Sequence, residues 1–483
     1  MRILICSSEV VPFSKTGGLA DVTGALPKAL GALGHDVRVA VPKYSMTYKE
    51  RIRGRKAATV QVTLGTKAFP VTIQQSKHGD AFTTYLIVSD KHFRRDSLYG
   101  YPDDAERFIL FQRAVLEFLR TGDWVPDVIH CNDWQTGLIP VYLRTIYAQE
   151  QQLAGVAAVY TVHNLAYQGV FEPEVMKLTG LPAGLFNMSQ LEFWGKVNFM
   201  KGGLLFADVL NTVSPTYSRE IQTPEFGAGL DGVLRDRKDV LFGVLNGIDL
   251  DEWNPATDRY VPVHYDARTR AAKSGNKPHL QKTVGLPQRE VPVFGLVSRL
   301  AAQKGLDILT EAIPSMLEKD VQMVILGFGE PQYHEELKKA QRKWPEKLHA
   351  EVGVFSEPLA RLIYSGSDFF LMPSHYEPCG LGQMNSMRYG TIPIVRSTGG
   401  LADTVREFDP ASGDGNGFVF SDYTAQALSA AVERALAVRS QPALWDRLTA
   451  NAMAEDFSWR RSAERYVELY QRAAALRAGS TAG

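Results

Sequence analysis

Six consecutive residues, Thr-Gly-Gly-Leu-Ala-Asp, stand at positions 16–21 and again at positions 398–403. Each copy follows an apolar run, Ile3-Leu4-Ile5-Cys6 in the first half and Ile392-Pro393-Ile394-Val395 in the second. Runs of that length read as short buried strands. After the first copy, positions 25–30 carry apolar residues at helical spacing. A glycine-rich turn from strand to helix lets backbone N–H groups approach an anion at the positive end of the helix dipole. Lys15 adds a mobile cation. The echo implies two β/α halves with one anion-facing loop in each. For either copy alone, an ordinary turn that needs glycine remains the plainer reading.

A chain of 483 residues exceeds what one hydrophobic core holds together. The first half alternates short strands with helical stretches. After the strand at 37–41 come three segments of alternating character, at 60–64, 69–74 and 82–88. They read as antiparallel additions to a sheet, with a turn at His78, Gly79 and Asp80. A helix over 104–119 and strands over 127–130, 157–162, 208–212 and 241–245 follow. Positions 251–278 are rich in Asn, Pro, Asp and Lys and read as a linker leading into a helix. A second β/α series then runs from the strand at 291–297 to the strand at 392–395, and the tail over 459–475 reads as a helix. Two such series imply an α/β protein of two doubly wound parallel sheets, which bind ligands at the carboxyl ends of their strands. Glu9, Asp133, His163, Asn246, Arg299 and Glu377 all follow strands, which places them on one cleft between the halves.

Composition narrows the partners. Lys plus Arg and Asp plus Glu both number 53, and the isoelectric point is near 7.2. No surplus of positive charge favours nucleic acid or an anionic membrane, so phosphate binding must rest on local cations. Cys6, Cys131 and Cys379 have no metal-like spacing and suit a reduced compartment. The first residues enter a strand directly, without a basic and apolar leader, so a cytoplasmic protein is expected.

Arg299 and Lys304 follow a strand and open a helix, where two cations beside the helix start would neutralise a diphosphate. No His, Cys or carboxylate cluster with metal spacing accompanies them, and Asp249-Leu250-Asp251 lies in a turn-rich stretch; charge neutralisation without metal is the preferred reading. Glu377-Pro378-Cys379-Gly380-Leu381 puts a carboxylate before a helix start, where backbone N–H groups are unsatisfied. Glu377 would accept hydrogen bonds from sugar hydroxyls, with a helix-dipole carboxylate as the plainer alternative. Cys379 has no local base and suits a backbone role better than a nucleophilic one. His163 alone would more often be structural, and Gly327-Phe328-Gly329 is weak evidence for a dinucleotide site.

As an ordered set, these residues resemble bacterial glycogen synthase and plant starch synthase. The set is Lys15-Thr16-Gly17-Gly18-Leu19-Ala20-Asp21-Val22, His163-Asn164, Asn246-Gly247-Ile248-Asp249, Arg299 with Lys304-Gly305, Glu377 to Leu381, and Thr398-Gly399-Gly400-Leu401. The resemblance runs from residue 1 to Phe457-Ser458-Trp459. It implies a GT-B fold, with residues 1–245 as an acceptor-side Rossmann-like domain completed by a helix over 457–478, and residues 246–456 as a nucleotide-sugar domain. It implies retaining transfer of glucose from ADP-glucose to the non-reducing end of an α-1,4-glucan, with no cofactor and no metal. Lys15, Gly17 and Gly18 would then contact the donor's phosphates. Arg299 and Lys304 would stabilise departing ADP. Glu377 with Cys379, Gly380 and Leu381 would hold the glucose, and His163 would lie near the anomeric carbon. Asp21 and Asn246 belong with the donor, as do Thr398 and Gly400. Glu9 and Asp133 belong with the acceptor, and Phe355 would stack on adenine. The chain departs from the family at Asn385, where an aromatic is usual, and this bears on local packing. Two alternatives stay open: a phosphorylase, which shares the architecture but needs pyridoxal phosphate, and a non-catalytic glucan- or nucleotide-binding protein.

Overall fold

The computed structural model describes residues 1–49, 52, 54–78 and 82–481. The chain divides into two compact units, Met1–Gly247 with Trp459–Gly483, and Ile248–Ser458.

Among the described residues, the first unit holds a nine-stranded sheet. Its strands are β1 (Arg2–Cys6), β2 (Asp36–Pro42), β3 (Arg55–Leu64), β4 (Lys67–His78), β5 (Phe82–Val88), β6 (Val128–Asn132), β7 (Ala157–Val162), β8 (Val209–Thr212) and β9 (Leu241–Gly243). Their order is β9-β8-β7-β6-β1-β2-β5-β4-β3. Residues of β6 and β7 are buried throughout, as expected of parallel strands covered on both faces. Moving along the chain, the sheet grows from β1 toward β2 and β5, then returns to the other side of β1 with β6. The reversal point therefore lies between β1 and β6, where a doubly wound sheet opens a ligand crevice.

The segment expected as a third antiparallel addition, 82–88, corrects that reading in part. β5 is antiparallel to β4 but parallel to β2, with Arg38 beside Thr83 and Pro42 beside Ile87. The β3–β4 hairpin reverses the chain once, and the next reversal brings it back in the direction of β2. Of the turn expected there, Gly79 and Asp80 lie outside the described residues.

The helix α1 (Gly18–Ala32) follows β1. The last helix, α2 (Trp459–Thr481), buries Ala463, Tyr466, Tyr470 and Ala473, a stripe of helical period, against Val22, Leu26 and Leu30 of α1 and against Ile3 and Ile5 of β1. Two tyrosines add polar anchors. Tyr470 Oη pairs with His130 Nδ1 at 2.9 Å, and Asn211 Nδ2 donates to Tyr466 Oη at 3.1 Å.

The second unit holds a parallel sheet of β10 (Val293–Leu300), β11 (Gln322–Gly329), β12 (Leu348–Val352), β13 (Phe369–Met372), β14 (Ile392–Arg396) and β15 (Phe418–Phe420). The order is β12-β11-β10-β13-β14-β15, so its reversal point lies between β10 and β13. Residues 251–278 are not a bare linker. Val261 and Tyr265 pack in one core with Leu280, Ile363 and Tyr389. Arg361 donates to the Glu252 carbonyl at 2.9 Å and its guanidinium lies 3.5 Å from the centre of the Trp253 ring. Asp249 Oδ1 accepts the amides of Asp251 and Glu252, so the Asp-Leu-Asp sequence is a local turn.

Candidate functional site

In the second unit, the sequence-selected residues gather at the carboxyl ends of β10 and β13, on the two sides of the reversal point. Arg299 is the penultimate residue of β10 and is exposed. Lys304 closes a single 3-10 turn, and the helix Leu306–Leu317 follows. Glu377 lies five residues beyond β13 and is buried. Lys304 Nζ stands 2.6 Å from Glu377 Oε2, and Ser374 Oγ donates to the same oxygen at 3.0 Å. Gln303 ties the pair to Arg299. Its Oε1 accepts from Arg299 Nη2 at 3.2 Å, its Nε2 donates to the Tyr376 carbonyl at 3.4 Å, and its own carbonyl accepts the His375 amide at 2.9 Å. Glu377 Oε1 has no partner among the described residues, so one carboxylate oxygen is fixed and the other is open. The amides of Gly380 and Leu381 likewise have no acceptor among the described residues. Gly380 is held at φ 73°, just before the helix Gly382–Arg388. Adjacent unpaired N–H groups of this kind form an anion- or hydroxyl-binding concavity. Cys379 is buried and forms no disulfide.

The two Thr-Gly-Gly copies differ in what their glycines do. Thr398 is the buried N-cap of the short helix Gly399–Thr404. The Gly400 amide donates to the Glu377 carbonyl at 3.1 Å, and a Cβ there would stand 2.1 Å from the Cys379 carbonyl oxygen. The second copy therefore packs against the Glu377 loop and holds it in place. The Gly400 amide is thereby engaged within the protein. At Gly17 a Cβ would meet nothing within 4 Å, so the first copy borders open space.

In the first copy a carboxylate occupies the turn. The carboxylate of Glu9 fills the loop. Its Oε2 accepts the amides of Thr16 and Gly17, the latter at 3.2 Å, and its Oε1 accepts Thr16 Oγ1 at 2.6 Å and Tyr99 Oη at 2.7 Å. Glu9, expected on the acceptor side, is buried and serves as the brace of this loop. The Gly17 amide is not available to a phosphate while Glu9 sits there. Gly18 opens α1, and its amide and those after it form the helix start. Lys15 Nζ is paired with Asp21 Oδ1 at 2.7 Å; both are substantially exposed, so the pair is weak and opens readily.

Across the reversal point from Glu9, β6 and β7 deliver Asp133 and His163. Asp133 adopts φ 56°, a strained conformation for a non-glycine residue. Its Oδ1 accepts the His163 amide at 2.7 Å. Burial pushes the Asp133 carboxyl up to about 7, against the opposing effect of the His163 and Asn164 amides, and the nearby Glu9 carboxylate adds to the rise. Burial pushes His163 down to about 3, so its ring is neutral at any physiological pH. His163 Nε2 pairs with Asn132 Oδ1 at 2.8 Å. Asn246 lies beyond β9 with its Oδ1 buried and unpartnered among the described residues, an acceptor suited to a sugar hydroxyl.

Phe355 stands beyond the edge strand β12, 54% exposed, two strands away from β10. A nearer aromatic is Phe328, 42% exposed and the register partner of Arg299 across β10 and β11. Sequence reasoning missed Phe328, Gln303, Ser374, Tyr99 and the role of Asn132. A polar Asn in a wholly buried strand was a readable signal; the others depend on partners distant in sequence. Asn385 is buried with its side chain beside the Tyr364 hydroxyl, so no aromatic is needed for that packing. Among the described residues, no group of three or more His, Cys, Asp or Glu is placed to hold a metal ion.

The model of the starch synthase catalytic domain matches residues 2–236, and that of glycosyl transferases group 1 matches residues 281–452. The glycogen synthase of Desulforudis audaxviator is 49% identical, over 98% of this chain and 96% of that protein. Glycogen synthase 2 of Geobacter sulfurreducens is 47% identical, over 99% of this chain and all of that protein. Among solved structures, the catalytic domain of starch synthase IV from Arabidopsis thaliana, bound to ADP and acarbose, matches with a TM-score of 0.91 at 35% identity. The match covers 98% of this chain and 99% of that one.

Proposed function

Because this chain belongs to the family of bacterial glycogen synthases and starch synthases, with the GT-B fold, we propose that it moves glucose from ADP-glucose to the non-reducing end of an α-1,4-glucan with retention. The observation that carries the site assignment is the Lys304–Glu377 pair joined through Gln303 to Arg299 at the reversal point of the second sheet.

Arg299 and Lys304 are the cations for the departing diphosphate, whose negative charge grows as the glycosidic bond breaks. Glu377 Oε1 and the amides of Gly380 and Leu381 take the hydroxyls of the glucose. Phe328 or Phe355 offers a face to the adenine. In the first unit, the neutral His163 is no general acid; it accepts a hydrogen bond from a hydroxyl, and Asn246 Oδ1 does the same. Lys15 swings from Asp21 to the donor's phosphates, with the start of α1 behind it.

Retention proceeds by front-side attack. The acceptor hydroxyl bonds to the anomeric carbon on the face ADP leaves, and its proton passes to a phosphate oxygen of ADP. A two-step route would need Glu377 as nucleophile, but Lys304 at 2.6 Å and Ser374 at 3.0 Å both engage its Oε2 and tie the carboxylate in place. Glu377→Gln should therefore retain measurable transfer with no glucosyl-enzyme in intact mass spectra. A cytoplasmic setting belongs to this reading: the three cysteines are buried and form no disulfide, which suits a reducing compartment. No described helix is long and apolar enough to cross a membrane.

The test is the linkage formed. With maltotriose and ADP-glucose, proton NMR of the product should show one new α-anomeric signal per glucose transferred. A β-anomeric signal would overturn the retaining assignment.

A further inference from the structure

In the second unit, a cavity of about 230 Å³ opens at the amino ends of β10 and β13, the far end of the sheet from Arg299 and Glu377. Asp368 stands just before β13, and its Oδ2 accepts the amide of Val293, the first residue of β10, at 2.8 Å. The other walls come from the 3-10 turn Arg270–Gly275, the helix Asn276–Thr283 and the last residue of the helix Ala425–Arg439.

Arg270, Lys273, Lys277 and Arg439 all line this cavity. Three carboxylates answer the four cations. Arg270 donates to Asp446 through Nε at 2.9 Å and Nη2 at 2.6 Å. Lys277 Nζ lies 3.0 Å from Asp368 Oδ2 and 3.0 Å from Glu290 Oε1. Arg439 Nε donates to Asp368 Oδ1 at 3.0 Å, and its Nη2 reaches Glu290 Oε1 at 3.4 Å. Lys273 forms no ion pair among the described residues. Its Nζ donates instead to the carbonyls of Ser365 and Ser367, both at 2.7 Å. Those carbonyls close the helix Glu357–Gly366, whose negative end favours a lysine. Two acceptors leave one N–H of an ammonium unused, and a half-charge at a helix end does not cancel a full one. Burial pulls Lys273 down to about 7; Asp368 opposes the fall, and Lys277 and Arg439 add to it.

We propose that this cavity is a binding site for a phosphoryl group, which supplies the counter-charge that Lys273 lacks. A buried cation is costly unless paired, and the fold leaves space for the partner beside it. The cations stand on separate walls. A tetrahedral oxyanion offers oxygens in every direction and suits them better than a planar carboxylate, and two of the four are arginines, whose forked N–H groups match phosphate. At about 30 Å³ per water, the space exceeds what a halide needs and admits a small organic group on the phosphate. The indole of Trp445 lines the same cavity. The site stands independently of the glucan-synthase reading.

Titration calorimetry at constant ionic strength, balanced with chloride, tests this with inorganic phosphate, glucose 1-phosphate and sulfate as probes. Lys273→Met should raise the Kd for phosphate about tenfold or more, the worth of a charge-assisted hydrogen bond. Arg270→Gln, whose own hydrogen bonds are exposed, should raise it about fivefold without disturbing the fold. Lys304→Ala should keep the site, since that residue lies at the other end of the sheet. Sulfate does not titrate near neutrality. At pH 8 its binding should take up a proton, because the anion returns Lys273 to its charged form, so the heat should change with the ionisation enthalpy of the buffer. A preference of tenfold or more for glucose 1-phosphate would assign the site to a phosphate ester, and equal binding to free phosphate. No binding of phosphate beyond chloride, equal binding by Lys273→Met and Arg270→Gln, or loss of binding in Lys304→Ala would overturn the proposal. So would a heat of sulfate binding that does not depend on the buffer.

Discussion

His163 Nε2 lies 2.8 Å from Asn132 Oδ1, and the Asn132 amide nitrogen already donates to the carbonyls of Cys6 and His130. The amide orientation is therefore fixed by two acceptors, and Nε2 must be the donor. Since burial keeps the ring neutral, its Nδ1 carries the lone pair. Asn132→Leu removes this lock. Nitrogen NMR of the imidazole should then show a tautomer mixture where wild type shows one form, and kcat should fall about tenfold, the worth of one hydrogen bond. A wild-type ring already in mixed tautomers would contradict the assignment.

Asp133 and His163 act oppositely on the pH dependence of stability. The folded Asp133 carboxyl, near 7, binds its proton more tightly than the unfolded one, near 3.8. Its stabilising contribution is full below the unfolded value and is lost as pH rises toward 7. The folded His163 ring, near 3, binds its proton less tightly than the unfolded one, near 6.5. Its contribution is present above 6.5 and is lost as pH falls toward 3. Between about pH 4 and 6.5 the two slopes cancel. Asp133→Asn should unmask a rise in unfolding free energy of about 1 kcal/mol per pH unit across that window, visible in urea titrations. A flat profile in the variant would contradict the shifts.

The two glycine echoes should respond differently to a single methyl group. Gly400→Ala drives Cβ into the Cys379 carbonyl and should lower stability by about 3 kcal/mol or more, with a matching fall in melting temperature. Gly17→Ala meets no atom within 4 Å and lies in extended backbone, so it should melt with wild type. If the first loop approaches the donor, the same variant raises the KM for ADP-glucose.

Lys304 and Glu377 form a pair that is mostly buried, with side-chain exposures of 18% and 6%. Lys304→Ala leaves the carboxylate with Ser374 alone. It should cost about 1–3 kcal/mol of stability, less than a fully buried pair because Lys304 is partly hydrated. It should also lower kcat by about a hundredfold or more through lost stabilisation of the leaving group. A normal kcat would remove Lys304 from the chemistry.

How much of this was legible in the sequence varies by element. The strand Ala157–Val162 was read to the residue because a buried parallel strand is a mostly apolar run between clear turn signals. β5 was found but its direction was not, because period-two alternation does not say which neighbour a strand pairs with. Arg299, Lys304 and Glu377 were picked from local context alone. The bridge between them was hidden, since Gln303 and Tyr376 lie 73 positions apart. The hydrogen bonds that hold the Glu9 carboxylate were hidden for the same reason: one of its donors, Tyr99, is 90 residues away. Identical letters at the two echoes suggested identical roles, and only the packing of Gly400 on Cys379 distinguishes them.

The most direct test mixes the purified protein with glycogen and either radiolabelled ADP-glucose or UDP-glucose, and counts label retained in the polymer. Strong incorporation from ADP-glucose, weak from UDP-glucose and abolished by Lys304→Ala is the predicted result. Incorporation from neither donor, or undiminished incorporation by the variant, would contradict the assignment of this site to ADP-dependent glucosyl transfer.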